Sequence, residues 1–173
     1  MQSAVFTTLG LFSVSQELSG MVMAHLEGAD PELIAEESLS LAATATARAI
    51  EATSASQSAL SESILLAPFL YRDYLVGTAM LEADDTSQAD RGVEIGKRLE
   101  RKIAFYGTHL PRATLPSGSV LKNAMLLWMG RISPPGMSTG PEQRLDASGA
   151  VERLQAHIRL TAAHIRHVES ANQ

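Results

Sequence analysis

Eighteen residues, Ile64 to Leu81 (ILLAPFLYRDYLVGTAML), limit what this chain can fold into more than any other stretch: 13 of them are apolar, and only Arg72 and Asp73 carry charge. The run is long enough to suggest a membrane span. Pro68 and a charged pair in its interior are costly in lipid, however, so a buried core helix is the expected form. Leu66, Leu70, Tyr74, Gly77 and Leu81 fall on one stripe at helical spacing, and Phe69 and Met80 widen it until nearly the whole circumference is apolar. Such a helix must be covered on most sides, which makes it the expected centre of the fold. Pro68 lacks an N–H and disfavours helix at Ala67, so a kink or a fresh helix start falls there. Adjacent helical residues point about 100° apart, so Arg72 and Asp73 each need a partner of their own. Either they make buried bonds that fix helix register, or they mark a functional site. Tyr71 and Tyr74 flank them, and with Trp128 and Met129 these residues form the candidate ligand or interface set.

The chain of 173 residues predicts a single domain spanning 1–173 with room for a real core. Only 19% of it is charged, below the roughly 25% of an average soluble protein, so little polar surface is available to cover the fold. That favours a homo-oligomer or a protein partner. Cysteine is absent, which removes disulfides and thiolate metal sites from consideration. The first basic residue is Arg48, so the apolar N-terminal segment lacks the positive region of a signal peptide, and a cytoplasmic protein without a membrane span is expected. Charge is divided unevenly: residues 1–96 carry a net of −11 and residues 97–173 a net of +6. Two readings follow, a basic half that meets nucleic acid, or halves that attract each other within or between subunits.

Along the chain, Phe6, Leu9, Val14, Leu18, Met21 and Val22 predict an amphipathic helix over Ala4 to Leu26, stopped by Gly28. Asp30 is a natural N-cap, Pro31 the favoured first helical residue, and Glu32 an acid in the first turn, so a second helix starts here. From Ser38 to Ser63, 18 of 26 residues are Ala, Ser or Thr, which predicts a closely packed helix to about Ala55 and a break near Ser54 to Ser58. Glu32 and Glu36 share a face, but no His follows at the spacing of di-iron bundles, so a solvated first turn is expected. A helix over Gln88 to Tyr106 turns Val93, Ile95, Leu99, Ile103 and Tyr106 inward and Lys97, Arg98, Arg101 and Lys102 outward. A short apolar helix covers about Ser119 to Gly130. The Pro- and Gly-rich segment 133–144 is the candidate mobile loop. The last helix, about Ala147 to Glu169, carries Val151, Leu154, Ile158, Thr161, Ile165 and Val168 on a near-heptad seam.

His-Ile-Arg occurs twice in that helix, at 157–159 and 164–166. His164 and His167 are close enough to share a metal, whereas His157 lies about 10 Å away along the axis. No carboxylate completes a set, so no metal or other cofactor is expected. Arg159, four residues and then His164 resembles the Arg-x4-6-His signature of the HEPN family, small all-helical proteins that often dimerise and many of which cleave RNA. The resemblance implies that Arg159 would steady a phosphate and His164 would assist attack by a 2′-hydroxyl. Leu160 stands where that family usually has a polar residue, and no Tyr follows the His as in its toxin members.

Five amphipathic segments, no alternating strand pattern, and turn signals at helix-length intervals predict an all-α bundle of five to seven helices. The leading functional expectation is a non-enzymatic interaction or assembly module that self-associates. Two alternatives stand beside it: a HEPN-like ribonuclease using Arg159 and His164, and a regulatory bundle holding a small apolar ligand near Tyr71, Tyr74, Trp128 and the methionines.

Overall fold

A computed structural model of the chain describes residues 2–53, 59–67 and 85–171. Among these residues the regular structure is wholly helical, as the sequence predicts: α1 (Gln2–Met23), α2 (Pro31–Thr53), α3 (residues 59–67), α4 (Asp85–His109), α5 (Gly118–Ile132), α6 (Pro141–Ser148) and α7 (Ala150–Ala171). None of the described helices is long and apolar enough to cross a membrane.

Among the described residues, the helix enclosed on all sides is α2. Its start is the expected cap: an Asp30 carboxylate oxygen accepts the Glu32 N–H at 2.9 Å, and the Asp30 carbonyl accepts the Ile34 N–H at 3.0 Å. Every residue from Glu37 to Ile50 is buried, with α1, α4, α5 and α7 packed around it. Small side chains make this enclosure achievable, because they let four neighbours approach the backbone closely. Threonine hydroxyls survive burial there by turning back on their own helix: Thr44 donates to the Ser40 carbonyl at 2.8 Å and Thr46 to the Ala42 carbonyl at 2.7 Å. The stretch expected at the centre, Ile64 to Leu81, contributes Ile64 and Ala67 to the core and leaves Leu66 exposed. Its remainder, with Tyr71, Arg72, Asp73 and Tyr74, lies outside the described residues. Ser61 ties α3 to α2 by donating to the Ala47 carbonyl at 3.2 Å and to Glu51 at 3.0 Å.

Close packing around α2 gives a direct expectation. Ala45→Leu adds three carbons where none is accommodated and is expected to lower stability by about 1–3 kcal/mol. Ala35→Leu, on the exposed side of the first turns, is expected to be near neutral. Urea unfolding of the two variants beside the wild type measures both.

Two inward faces differ from expectation. On α1 the buried stripe is Thr7, Leu11, Val14, Leu18 and Val22, while Phe6 and Leu9 point outward. Apolar residues lie on both sides of this helix, so its pattern alone does not select the buried side. On α4, Val93 is exposed, whereas Lys102 is buried and Arg98 half-buried against α2. There Arg98 bridges Glu32 at 3.1 Å and Glu36 at 2.7 Å, and Lys102 reaches Glu36 at 2.6 Å and Glu37 at 3.5 Å. The first turns of α2 are therefore not merely solvated. Burial alone would push the Glu36 carboxyl up, but its hydrogen bonds from Arg98 and Lys102 outweigh that and hold it below the usual carboxylate range.

Glu37 is fully buried and sits at the centre of this network. Arg131 of α5 grips both its oxygens at 2.8 and 2.9 Å, and the Tyr106 hydroxyl donates to it at 2.6 Å. Burial, and then the adjacent Glu37 carboxylate, raise the Tyr106 phenol far above its ordinary value, so it stays a donor. These pairs, together with Arg153 on Glu17, join acids of the first half of the chain to bases of the second. The uneven charge of the two halves is thus spent in part on holding helices together within one chain.

Residues 141–144 of the Pro- and Gly-rich segment form the first turn of α6, where buried Arg144 holds the loop from α5 by donating to Thr139 and, at 2.8 Å, to the Ser133 hydroxyl. Gly149, at φ 70°, takes the left-handed turn that separates α6 from α7, where an L side chain would be strained.

Candidate functional site

α1 and α7 run against each other, and each offers a stripe of residues at helical spacing. From α1 come Phe6, Thr7, Gly10 and Ser13; from α7 come Arg153, His157, Leu160 and Thr161. Between the stripes is a hollow of about 120 Å³. Gly10 helps make it, because a Cβ there would stand 3.4 Å from Cε1 and 3.7 Å from Nδ1 of the His157 ring.

His157 is buried and its ring orientation is set from α2. Thr46 has one hydroxyl proton, and its contacts with the Ala42 carbonyl at 2.7 Å and with His157 Nε2 at 2.9 Å are both hydrogen bonds only in the tautomer that carries the ring proton on Nε2. Burial pushes the imidazole down to about 4, and the positive charge of Arg153 adds to that, against a smaller opposing effect of Glu17. The ring is therefore neutral at pH 7. Its Nδ1 keeps a lone pair on the edge facing Gly10, and among the described residues no group bonds to it.

At the rim, Arg153 clasps the Glu17 carboxylate with two N–H groups, one at 2.9 Å, and the Ser13 hydroxyl adds a bond at 2.9 Å. The Arg153 hydrogen bond is the main reason the Glu17 carboxyl falls to about 2. The two charges neutralise each other, leaving a rim without net charge.

The candidate residues from the sequence are distributed differently. Trp128 and Met129 are fully buried among α5's core contacts and present no surface to solvent. Arg159 is exposed, while His164 is half-buried with its ring stacked on Phe6 at 4.0 Å and 26°. Five residues apart, their side chains leave α7 about 140° from each other. The residues that sequence reasoning missed are Phe6, Gly10, Thr46 and Arg153, together with the chemistry of His157. A glycine in the middle of an apolar helix was the available signal, since it marks a close approach or a gap.

Comparison with models of protein families, with curated proteins and with solved structures finds no match to this chain.

Proposed function

We propose that this chain is a non-enzymatic helical assembly module, and that one copy meets another through the outer face of α1 and α7. The observation that carries this is a group of large apolar side chains turned to solvent: Val5 is 54% exposed, Phe6 48%, Leu9 65% and, across the hollow from Phe6, Leu160 62%. Exposed apolar residues scattered singly are ordinary, but neighbouring ones mark places where partners bind. Val5, Phe6 and Leu9 are neighbours on the helix surface, at spacings of three and four. No charged residue occurs between Gln2 and Gln16, so no charge on this part of α1 has to be desolvated in a dry contact. An apolar, uncharged stripe is complementary to itself and suits the twofold arrangement of most homodimers. In this reading His164 serves by holding Phe6 in place through ring stacking.

Light scattering at micromolar concentration tests it. The wild type is expected to be an oligomer, and Leu9→Glu a monomer with unchanged helical circular dichroism, because Leu9 takes no part in the core. A monomeric wild type, or a Leu9→Glu chain that stays oligomeric, would overturn the proposal.

A further inference from the structure

The hollow beside His157 has a chemistry of its own. One end is apolar, walled by Phe6 and Leu160; the other holds an imidazole nitrogen that can only accept. The Thr46 contact fixes the tautomer from behind, so this acceptor cannot turn into a donor without losing a buried bond. Among the described residues the one cation at the rim is Arg153, and it is already clasped to Glu17, which removes the charge an anionic ligand would seek. The volume of about 120 Å³ compares with the roughly 150 Å³ of an engineered apolar cavity that takes up benzene, which sets the scale at one small ring.

We infer that this hollow is a binding site for a small neutral aromatic molecule carrying one hydrogen-bond donor, its ring between Phe6 and Leu160 and its donor on Nδ1 of His157. The geometry selects for the donor as well as the ring. A molecule of the same shape without a donor would strip water from Nδ1 and give nothing back, and sites built to bond a polar group reject analogues that lack it. Gly10 is part of the same design, because any larger residue there would occupy the space beside the imidazole.

Phenol and toluene, nearly equal in size, are the probes. They are titrated by calorimetry into the wild-type chain and into Leu9→Glu, so that a mouth covered by self-association is distinguished from a site that does not bind. Saturable phenol binding, about tenfold tighter than toluene, is expected in at least the Leu9→Glu chain. The ¹⁵N resonance of His157 Nδ1 is expected to shift on adding phenol and not on adding toluene. Gly10→Leu is expected to abolish binding. Absence of saturable phenol binding in both chains, toluene bound as tightly as phenol, an unmoved Nδ1 resonance, or full binding in a folded Gly10→Leu chain would each overturn the inference. The phenol-to-toluene ratio requires no change at the site, so it decides the matter whether or not Gly10→Leu folds.

Discussion

Glu37→Gln is expected to lower the free energy of unfolding by about 3 kcal/mol, the lower end of the 3–5 kcal/mol typical when one partner of a buried ion pair is removed. The carboxylate is fully buried and receives two bonds from Arg131, one from Tyr106 and the more distant charge of Lys102. Glutamine keeps the shape but replaces one acceptor oxygen by an N–H donor, which then faces donors. The value falls at the low end for two reasons. Arg131 has a side chain 39% exposed and lies 4.5 Å above the Phe105 ring, so it can turn partly to water. Lys102 keeps Glu36 at 2.6 Å. Tyr106 has no such outlet, being fully buried, and its hydroxyl loses its charged acceptor. Urea melts measure the loss. Combining Glu37→Met with Arg131→Met is expected to recover part of it, since it removes both sides of the pair instead of orphaning one. Wild-type stability in Glu37→Gln would show that the network does not bear on the fold.

That network shows how far the sequence could be read. Helix existence was legible because it depends on local signals: Asp30-Pro31-Glu32 starts α2, while the break expected near Ser54 to Ser58 lies outside the described residues. The apolar seam of α7 was legible too, and Leu154, Ile158, Thr161 and Ile165 are buried as its period requires. The complete enclosure of α2 was not. An Ala and Thr helix can be surrounded on every side because small side chains admit neighbours and hydroxyls can bond their own backbone, whereas the apolar stretch expected at the centre lies mostly outside the described residues. Hydropathy counts transfer from water and does not count how closely helices can approach.

Two of the four basic residues expected to face outward on α4, Arg98 and Lys102, turn to α2 for a related reason, while Lys97 and Arg101 are exposed as expected. Lys102 and Arg98 share helical positions compatible with either solvent or a neighbour, and only the carboxylates of α2, more than sixty residues earlier, decide between them. The net charges of the two halves carried that information in aggregate without naming pairs. On α1, Leu9 and Leu11 are equally apolar, and the buried choice is made by what α2 and α7 offer opposite them. The candidate site fell in the same gap. His157 is one member of a seven-residue repeat in the sequence, and partners on other helices distinguish it from His164: Thr46 for the first, and Phe6 among those of the second.

His157 also gives the chain a pH dependence with a defined window. In the unfolded chain its imidazole takes up a proton near 6.5, while in the folded chain burial, helped by Arg153 and opposed by Glu17, delays this to about 4. Between these values the unfolded state binds the extra proton, so stability rises with pH there and is lost as pH falls from 6.5 towards 4. Below about 4 the folded form is protonated as well and this contribution levels off. The full change across the window is about 3 kcal/mol, at 1.36 kcal/mol for each unit. Glu17 and Glu36, whose carboxyls are held low by Arg153 and by Arg98 with Lys102, act in the same direction but mainly below the ordinary carboxylate value of 4.5. The upper part of the window therefore reports on His157. In His157→Gln the amide N–H can still donate to Thr46 while the titrating group is gone. Denaturant melts at pH 7 and pH 5 are expected to show the wild type losing about 2 kcal/mol more than this variant. Equal losses in the two chains would mean that the imidazole is protonated as readily in the fold as in water, and that Thr46 and α1 do not enclose it.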